Sequence, residues 1–302
     1  MAKEGRALVT GGAGFIGSNI VDALLERNFE VTVIDDLSAG KEENLDPKAD
    51  FLNADIRDIA GIEPAFEGVD LVFHTAAMPR VQYSIENPVE THGVNVTGTL
   101  NVLGLSAKHK VGKLIFSSSS AVYGDGEGAP MKEGDAFDPQ SPYALHKQIG
   151  EDYCRLYSKV YNLPTVSLRY FNVYGERQDP EGAYALVIAK FLERKKRGET
   201  LTVTGDGEQT RDFVHVRDVI KANLLSAESP DVGCGEVLNI GSGESVSVNR
   251  IAQLIGGEVE YIEARLEPKH TLSDSSKALE TLGWKPTVSI EDGIKELKED
   301  QR

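Results

Sequence analysis

The sequence predicts an α/β protein: a doubly wound parallel sheet followed by a smaller α/β C-terminal portion. Three observations carry this. Nearly continuous apolar runs alternate with amphipathic segments from residue 6 to about 171, the pattern of strands covered on both faces. A glycine-rich turn, Thr10-Gly11-Gly12-Ala13-Gly14-Phe15-Ile16-Gly17, joins the first run to the first amphipathic segment. Beyond about residue 171 the alternation loosens and the apolar runs shorten.

In order, strands are expected at 7–10, 31–34, 51–52, 71–74 and 114–116, with helices at 15–28, 58–67, 84–108 and 142–161. The first helix has apolar residues at three- and four-residue steps, from Phe15-Ile16 through Ile20-Val21 to Leu24-Leu25. The later part predicts helices near 183–197, 217–227 and 247–255 and short strands near 201–204 and 237–240. The basic run at 194–197 reads as a solvated helix C-terminus complementing the dipole.

The length of 302 residues suits about two domains. Apolar residues at 40% can fill a core, and 32 basic against 48 acidic residues leave a net charge of −16. Such a chain is ill suited to phosphate backbones or anionic membranes, so neither nucleic acid nor membrane is expected as a partner. An anionic small molecule remains compatible. The two cysteines, Cys154 and Cys234, make no disulfide framework, no His/Cys cluster has metal spacing, and no metal is expected. No run of eighteen apolar residues occurs and the start lacks an apolar signal, so a soluble cytoplasmic protein is expected.

Gly12, Gly14 and Gly17 satisfy GxGxxG, and Gly11, Gly14 and Gly17 the wider GxxGxxG. Glycine lets the turn close and a pyrophosphate approach the backbone at a helix N-terminus. The second strand ends in Asp35-Asp36, with Asp35 eighteen residues after Gly17. A carboxylate there accepts the adenosine ribose hydroxyls and repels a 2′-phosphate, which favours NAD over NADP. Asp55-Ile56 follows the third strand, and Asp55 fits either an adenine-side contact or an Asx turn.

The fifth strand runs into Ser117-Ser118-Ser119-Ser120, at the carboxyl end where open α/β sheets bind ligands. Tyr143 and Lys147 open a helix and share one face at a spacing of four. An ammonium near a phenol lowers the phenol's pKa, which provides a base for a hydroxyl proton as hydride leaves the same carbon.

With these motifs the chain resembles the extended short-chain dehydrogenase/reductase family, most of all its nucleotide-sugar 4-epimerases for UDP-glucose and UDP-N-acetylglucosamine. The resemblance spans essentially the whole chain. It also rests on Asp35-Asp36-Leu37-Ser38, His74-Thr75-Ala76-Ala77, Asn95-Val96-Thr97-Gly98-Thr99, Arg169-Tyr170-Phe171-Asn172-Val173-Tyr174-Gly175, Arg211-Asp212-Phe213-Val214-His215-Val216 and Leu282-Gly283-Trp284. It implies a Rossmann NAD-binding domain at 1–168 plus about 206–232, and a nucleotide-sugar domain at 169–205 plus 233–302.

By the same resemblance Ser119 bonds the sugar 4-oxygen, Tyr143 is the acid/base, and Lys147 holds the nicotinamide ribose. Gly11, Gly14, Phe15, Ile16, Gly17, Asp35, Asp36, Ser38, Gly40, Asp55, Ile56, Ala76, Ala77, Asn95 and Phe171 are expected at the NAD. Asn172, Tyr184, Ala185, Arg211, Arg265 and Thr271 are expected at the sugar nucleotide, with Thr271 as a size gate that leaves room for an acetamido group. The family has Arg-x-Gly-Glu/Asp before that gate, whereas this chain has Ala264-Arg265-Leu266-Glu267. The helices at 84–108 and 142–161 imply a homodimer, with Leu100, Val102, Leu103, Tyr153, Leu156 and Tyr157 offering apolar surface.

Dehydratases of the family carry Asp-Glu just after the active-site serine, and decarboxylating relatives likewise place a Glu two residues before the Tyr of the VYG run. Here Ser120 and Ala121 stand there, which favours epimerisation through a 4-keto sugar. Other readings kept open are a UDP-glucuronate 4-epimerase, a dehydratase, a reductase or dehydrogenase with net redox turnover, and a non-catalytic NAD-binding sensor.

Overall fold

The computed structural model describes residues 4–125, 130–180, 187–263 and 270–300. Its strands are β1 (Arg6–Thr10), β2 (Glu30–Asp35), β3 (Asp50–Asn53), β4 (Leu71–His74), β5 (Lys113–Ser119), β6 (Thr165–Tyr170), β7 (Asn172–Tyr174), β8 (Leu201–Thr204), β9 (Thr210–His215), β10 (Cys234–Ile240), β11 (Ser245–Ser247) and β12 (Val259–Ile262). Its α-helices are α1 (Phe15–Glu26), α2 (Ile59–Ile62), α3 (Val81–Glu86), α4 (Pro88–His92), α5 (Thr99–Lys108), α6 (Pro142–Tyr161), α7 (Val187–Lys196), α8 (Val216–Glu228), α9 (Val248–Ile255), α10 (Ser276–Leu282) and α11 (Ile290–Asp300).

A seven-stranded sheet has the order β10-β6-β5-β4-β1-β2-β3, with every pairing parallel. The chain winds outward from β1 to β3, then returns to β4 and winds the other way. The reversal leaves a crevice beyond the carboxyl ends of β1 and β4. The strands alternate between two cores: Ala7 and Val9 face one with α1 and α8, while Leu8 faces the other with α5 and α6. This two-sided burial explains the continuous apolar runs.

A three-stranded sheet, β11-β9-β7, and a parallel pair, β12-β8, stand apart from it. A further core under them joins Tyr174, Phe191, Leu201, Phe213, Ile251 and Ile294. The expected domain division departs from these sheets at two strands. Cys234–Ile240 falls in the expected sugar domain but extends the large sheet beside β6, and Thr210–His215 falls in the expected NAD domain but pairs with β7 and β11.

The helix expected at 84–108 is interrupted. Pro88 disfavours a helical Asn87, whose φ of −130° and ψ of 59° separate α3 from α4, and a π-helical turn at Gly93–Gly98 precedes α5. The segment expected as a helix at 58–67 is α2 followed by a 3₁₀ turn at Glu63–Phe66, with Pro64 in that turn. Val102 and Leu103 are fully buried inside the protomer and offer no outer surface.

Trp284 is fully buried, and its Nε1–H donates to the Asp218 carbonyl of α8 at 2.9 Å. The Asp218 carboxylate accepts from Thr287 and Val288 backbone N–H groups, so the C-terminal segment is fastened to that helix. Among the described residues no helix is long and apolar enough to cross a membrane.

Candidate active site

The glycine turn sits at the mouth of the crevice. Gly11 has a φ of +71°, and a Cβ there would lie 2.6 Å from the Ala76 nitrogen. A Cβ on Gly17 would lie 2.2 Å from the Gly11 carbonyl, so α1 packs against its own turn only with glycine in place. Gly14 caps α1 without a side chain, and its first turn carries no acid. The N–H groups of Phe15, Ile16 and Gly17 begin α1 with no intrahelical acceptor, as first-turn donors do.

Asp35 closes the other side. Its carboxylate accepts from Ala13 N (2.9 Å) and Leu37 N (2.8 Å), and burial raises its pKa against those donors. A Cβ on Gly40 would meet it at 2.9 Å. Asp36 accepts from Ser38 N (2.9 Å) and Ser38 Oγ (2.6 Å). Asp55 accepts from the Arg57 backbone N–H (2.8 Å) and from the Arg57 guanidinium, which holds its carboxyl below the usual range. The Arg57 N–H to Asp55 bond closes an Asx turn. Ile56 is buried under the π-helical turn.

Ala76 and Ala77 follow β4 across the crevice. Asn95, in the π-helical turn, spends both amide ends on Met78: Oδ1 accepts its N–H (2.7 Å) and Nδ2 donates to its carbonyl (3.0 Å). It therefore fixes the 76–78 segment. His74 is clamped between Thr10 Oγ1 (2.7 Å) and Thr99 Oγ1 (2.9 Å).

The serine strand meets α6 rung by rung. Ser141 caps α6 by accepting from Ala144 N (3.2 Å), with Pro142 at its first position. Tyr143, Lys147 and Glu151 then succeed each other at four-residue steps on the face toward β5. The Ser119 hydroxyl stands beside the Tyr143 phenol and pulls its pKa down against burial. Lys147 Nζ donates to the Ser117 carbonyl at 2.6 Å, and Ser118 Oγ donates to Glu151 at 2.5 Å.

Two opposing influences act on the Tyr143 phenol. Burial raises the phenol, and the opposing pull comes from the Ser119 hydroxyl. Lys147 Nζ stands 5.9 Å from the Tyr143 ring centre, donates one of its three N–H groups to the Ser117 carbonyl, and is itself pushed down to about 8 by burial.

Behind this row lies a buried network that the motifs did not reveal. Arg169 pairs with Glu151, and donates from Nη1 to Tyr123 Oη at 2.7 Å. Tyr123 donates in turn to Asn239 Oδ1 at 2.7 Å. The four-residue step from Lys147 to Glu151 was the available signal.

On the substrate side, Asn172 and Thr271 come together: Asn172 Nδ2 reaches the Asp212 carbonyl (3.0 Å) and Thr271 Oγ1 (3.3 Å). Arg211 neighbours them on β9. Phe171 is buried, with its ring 6.3 Å from that of Tyr123. Tyr184, Ala185, Arg265 and Glu267 lie outside the described residues. Among the described residues no group of three or more His, Cys, Asp or Glu side chains is placed to hold a metal ion.

The glycine cradle, the uncapped α1 N-terminus and the Asp35 carboxylate together fit a dinucleotide with an unphosphorylated ribose. The model of the NAD-dependent epimerase/dehydratase family matches residues 7–241. The chain is similar to the UDP-glucose 4-epimerase of Thermotoga maritima, solved with UDP-glucose: 42% identity, a TM-score of 0.93, and 97% of each chain covered. It is similar to the UDP-N-acetylglucosamine 4-epimerase of Methanobrevibacter ruminantium, solved with UDP-N-acetylmuramic acid: 38% identity, a TM-score of 0.92, and 99% of this chain and 100% of that one covered. A curated UDP-glucose 4-epimerase of Mycolicibacterium smegmatis is 38% identical, covering 96% of each.

Proposed function

The chain belongs to the NAD-dependent epimerase/dehydratase family, and from that premise we propose that it is a UDP-hexose 4-epimerase working through a 4-keto sugar. The observation that carries this is the Ser119 hydroxyl set against the Tyr143 phenol at the crevice, with Lys147 one helical turn away and no acid at Ser120 or Ala121. An elimination would need such an acid. A simple alcohol oxidation and return needs only a proton acceptor.

Gly11, Gly14, Gly17 and the first N–H groups of α1 would hold the NAD pyrophosphate, and Asp35 its adenosine ribose. When bound, NAD supplies the hydride acceptor and a positive charge that favours the phenolate. Tyr143 takes the proton of the sugar 4-hydroxyl and later returns it. Ser119 bonds the same oxygen and keeps the phenol aimed at it. Lys147, fixed by Ser117, presents its remaining protons toward the nicotinamide ribose. Asn172 and Arg211 meet the diphosphate, Arg211 as a charge-assisted donor. Thr271 walls the sugar and leaves space for an acetamido group, so UDP-N-acetylhexosamines are substrates as well.

The protein acts as a homodimer through α6, whose Leu145, Leu156, Val160 and Tyr161 are exposed. NMR of products from a panel of UDP-sugars without added NADH tests the activity. C4 epimers at equilibrium support it, and net formation of NADH or a deoxy sugar refutes it.

A further inference from the structure

Asp212 is a carboxylate with no exposed surface, set in the middle of β9. Its Oδ1 accepts from Ser242 N (2.6 Å) and Ser242 Oγ (2.7 Å). Its Oδ2 accepts from Gly243 N (3.0 Å) and Ser273 N (2.9 Å). Its own backbone continues the convergence: the N–H donates to Thr271 Oγ1 at 3.2 Å, and the carbonyl accepts Asn172 Nδ2 at 3.0 Å. One residue thus gathers the end of β7, the loop at 241–243 and the loop at 270–275, and it directly follows Arg211. Of the substrate residues proposed above, Asn172 and Arg211 are fixed through the β9 backbone, while the loop that carries Thr271 is held through the Asp212 side chain.

A carboxylate suits the place because all four of its partners donate. An amide would keep one accepting atom and turn an NH₂ toward N–H groups. The joint is also tight. A Cβ on Gly241 would lie 2.5 Å from Ser273 Cβ and 2.8 Å from Asp212 Oδ2, so anything larger than glycine drives the 273 loop off β9. Among the described residues no hydrogen bond joins Asp212 to Ser119, Tyr143 or Lys147, so its reach is the sugar wall and not the proton relay.

We propose that Asp212 is a positioning residue for substrate choice: by pinning the 270–275 loop it sets Thr271 beside the sugar and governs discrimination between plain and 2-acetamido hexoses. The proposal rests on the 4-epimerase reading. An acetamido group packs on the wall that Thr271 forms. A smaller hexose underfills the space and is indifferent to a small retreat of the wall. Loss of the pin therefore weakens ground-state binding of the larger substrate and leaves its chemistry intact.

The test uses full-length protein with Asp212→Asn and, separately, Gly241→Ala, which displaces the same loop without changing any charge. KM and kcat are measured for UDP-glucose and UDP-N-acetylglucosamine, with bound NAD as a check on the cofactor site. KM for the acetamido sugar should rise about tenfold in both variants. Its kcat, the UDP-glucose constants and NAD content should stay within about twofold. Wild-type turnover with an unchanged KM ratio in the variants overturns this proposal alone. A wild type that epimerises neither sugar overturns the 4-epimerase reading and this proposal with it. Where Asp212→Asn does not fold, Gly241→Ala decides.

Discussion

Glu151 and Arg169 meet through two hydrogen bonds, Nε to Oε1 at 2.8 Å and Nη2 to Oε2 at 2.7 Å, with side chains 0% and 1% exposed. The pair ties α6, which carries Tyr143 and Lys147, to β6. Glu151→Gln leaves the guanidinium buried without its counter-charge and should cost about 3–5 kcal/mol. Replacing both partners by methionine should cost less, because no charge is then stranded. Urea unfolding of the two variants compares them, and equal losses would show that the charge is not what is felt.

Tyr143→Phe should leave fold and NAD content as they are and lower kcat by about a thousandfold, the size of a lost acid/base. Product NMR with UDP-glucose reads this. Turnover near that of the wild type would assign the proton to another group.

With NAD held as proposed, Asp35 and Asp36 face the position of a 2′-phosphate. At a separation of about 4 Å, like charges near a surface repel by about 4 kcal/mol, so NADP should bind at least a hundredfold more weakly than NAD, on the order of that repulsion. Calorimetry on cofactor-stripped protein decides. Asp35→Asn should narrow the gap, and comparable wild-type affinities would refute the assignment.

His74 is held neutral by burial, its pKa pushed down to about 3. An unfolded chain takes up that proton near pH 6.5, so the unfolded state binds more protons between there and about 3. The stability this group contributes is complete above the upper value and drains away as pH falls. At pH 5 about 2 kcal/mol should be gone. In His74→Gln the decline in unfolding free energy from urea titrations between pH 7 and 5 should be shallower by about that amount. A parallel decline would locate the acid sensitivity elsewhere.

Leu156 and Val160 lie one turn apart on α6, 46% and 55% exposed. With the proposed dimer, the wild type should have twice the chain mass in light scattering at micromolar concentration, and Leu156→Glu should be a monomer with unchanged circular dichroism. A wild-type monomer under the same conditions would dismiss the interface.

The glycine turn and Asp35 were legible in the sequence because their reasons are local. Gly17 must clear the Gly11 carbonyl six residues earlier, and Asp35 ends the neighbouring strand. The Glu151–Arg169 pair was not legible, since the two residues sit on different elements that only the packing of α6 on β6 brings together. Lys147 shows the limit of spacing arguments. The four-residue step put it on the face of Tyr143, but nothing in that spacing told that one of its N–H groups is engaged by the Ser117 carbonyl. Pro88 announced the break between α3 and α4, but apolar residues on both sides hid it. The pairing of Cys234–Ile240 with β6 depends on an edge that no local pattern marks.

The chain holds a single tryptophan, and that residue is the one sealed between α10 and α8 with its ring nitrogen on Asp218. Its ultraviolet emission therefore speaks for one seam of the molecule alone. The colour of that emission follows water reaching the indole, so it shifts when the segment around residue 284 lifts from α8. The protein thus carries its own optical gauge for the loosening of that seam.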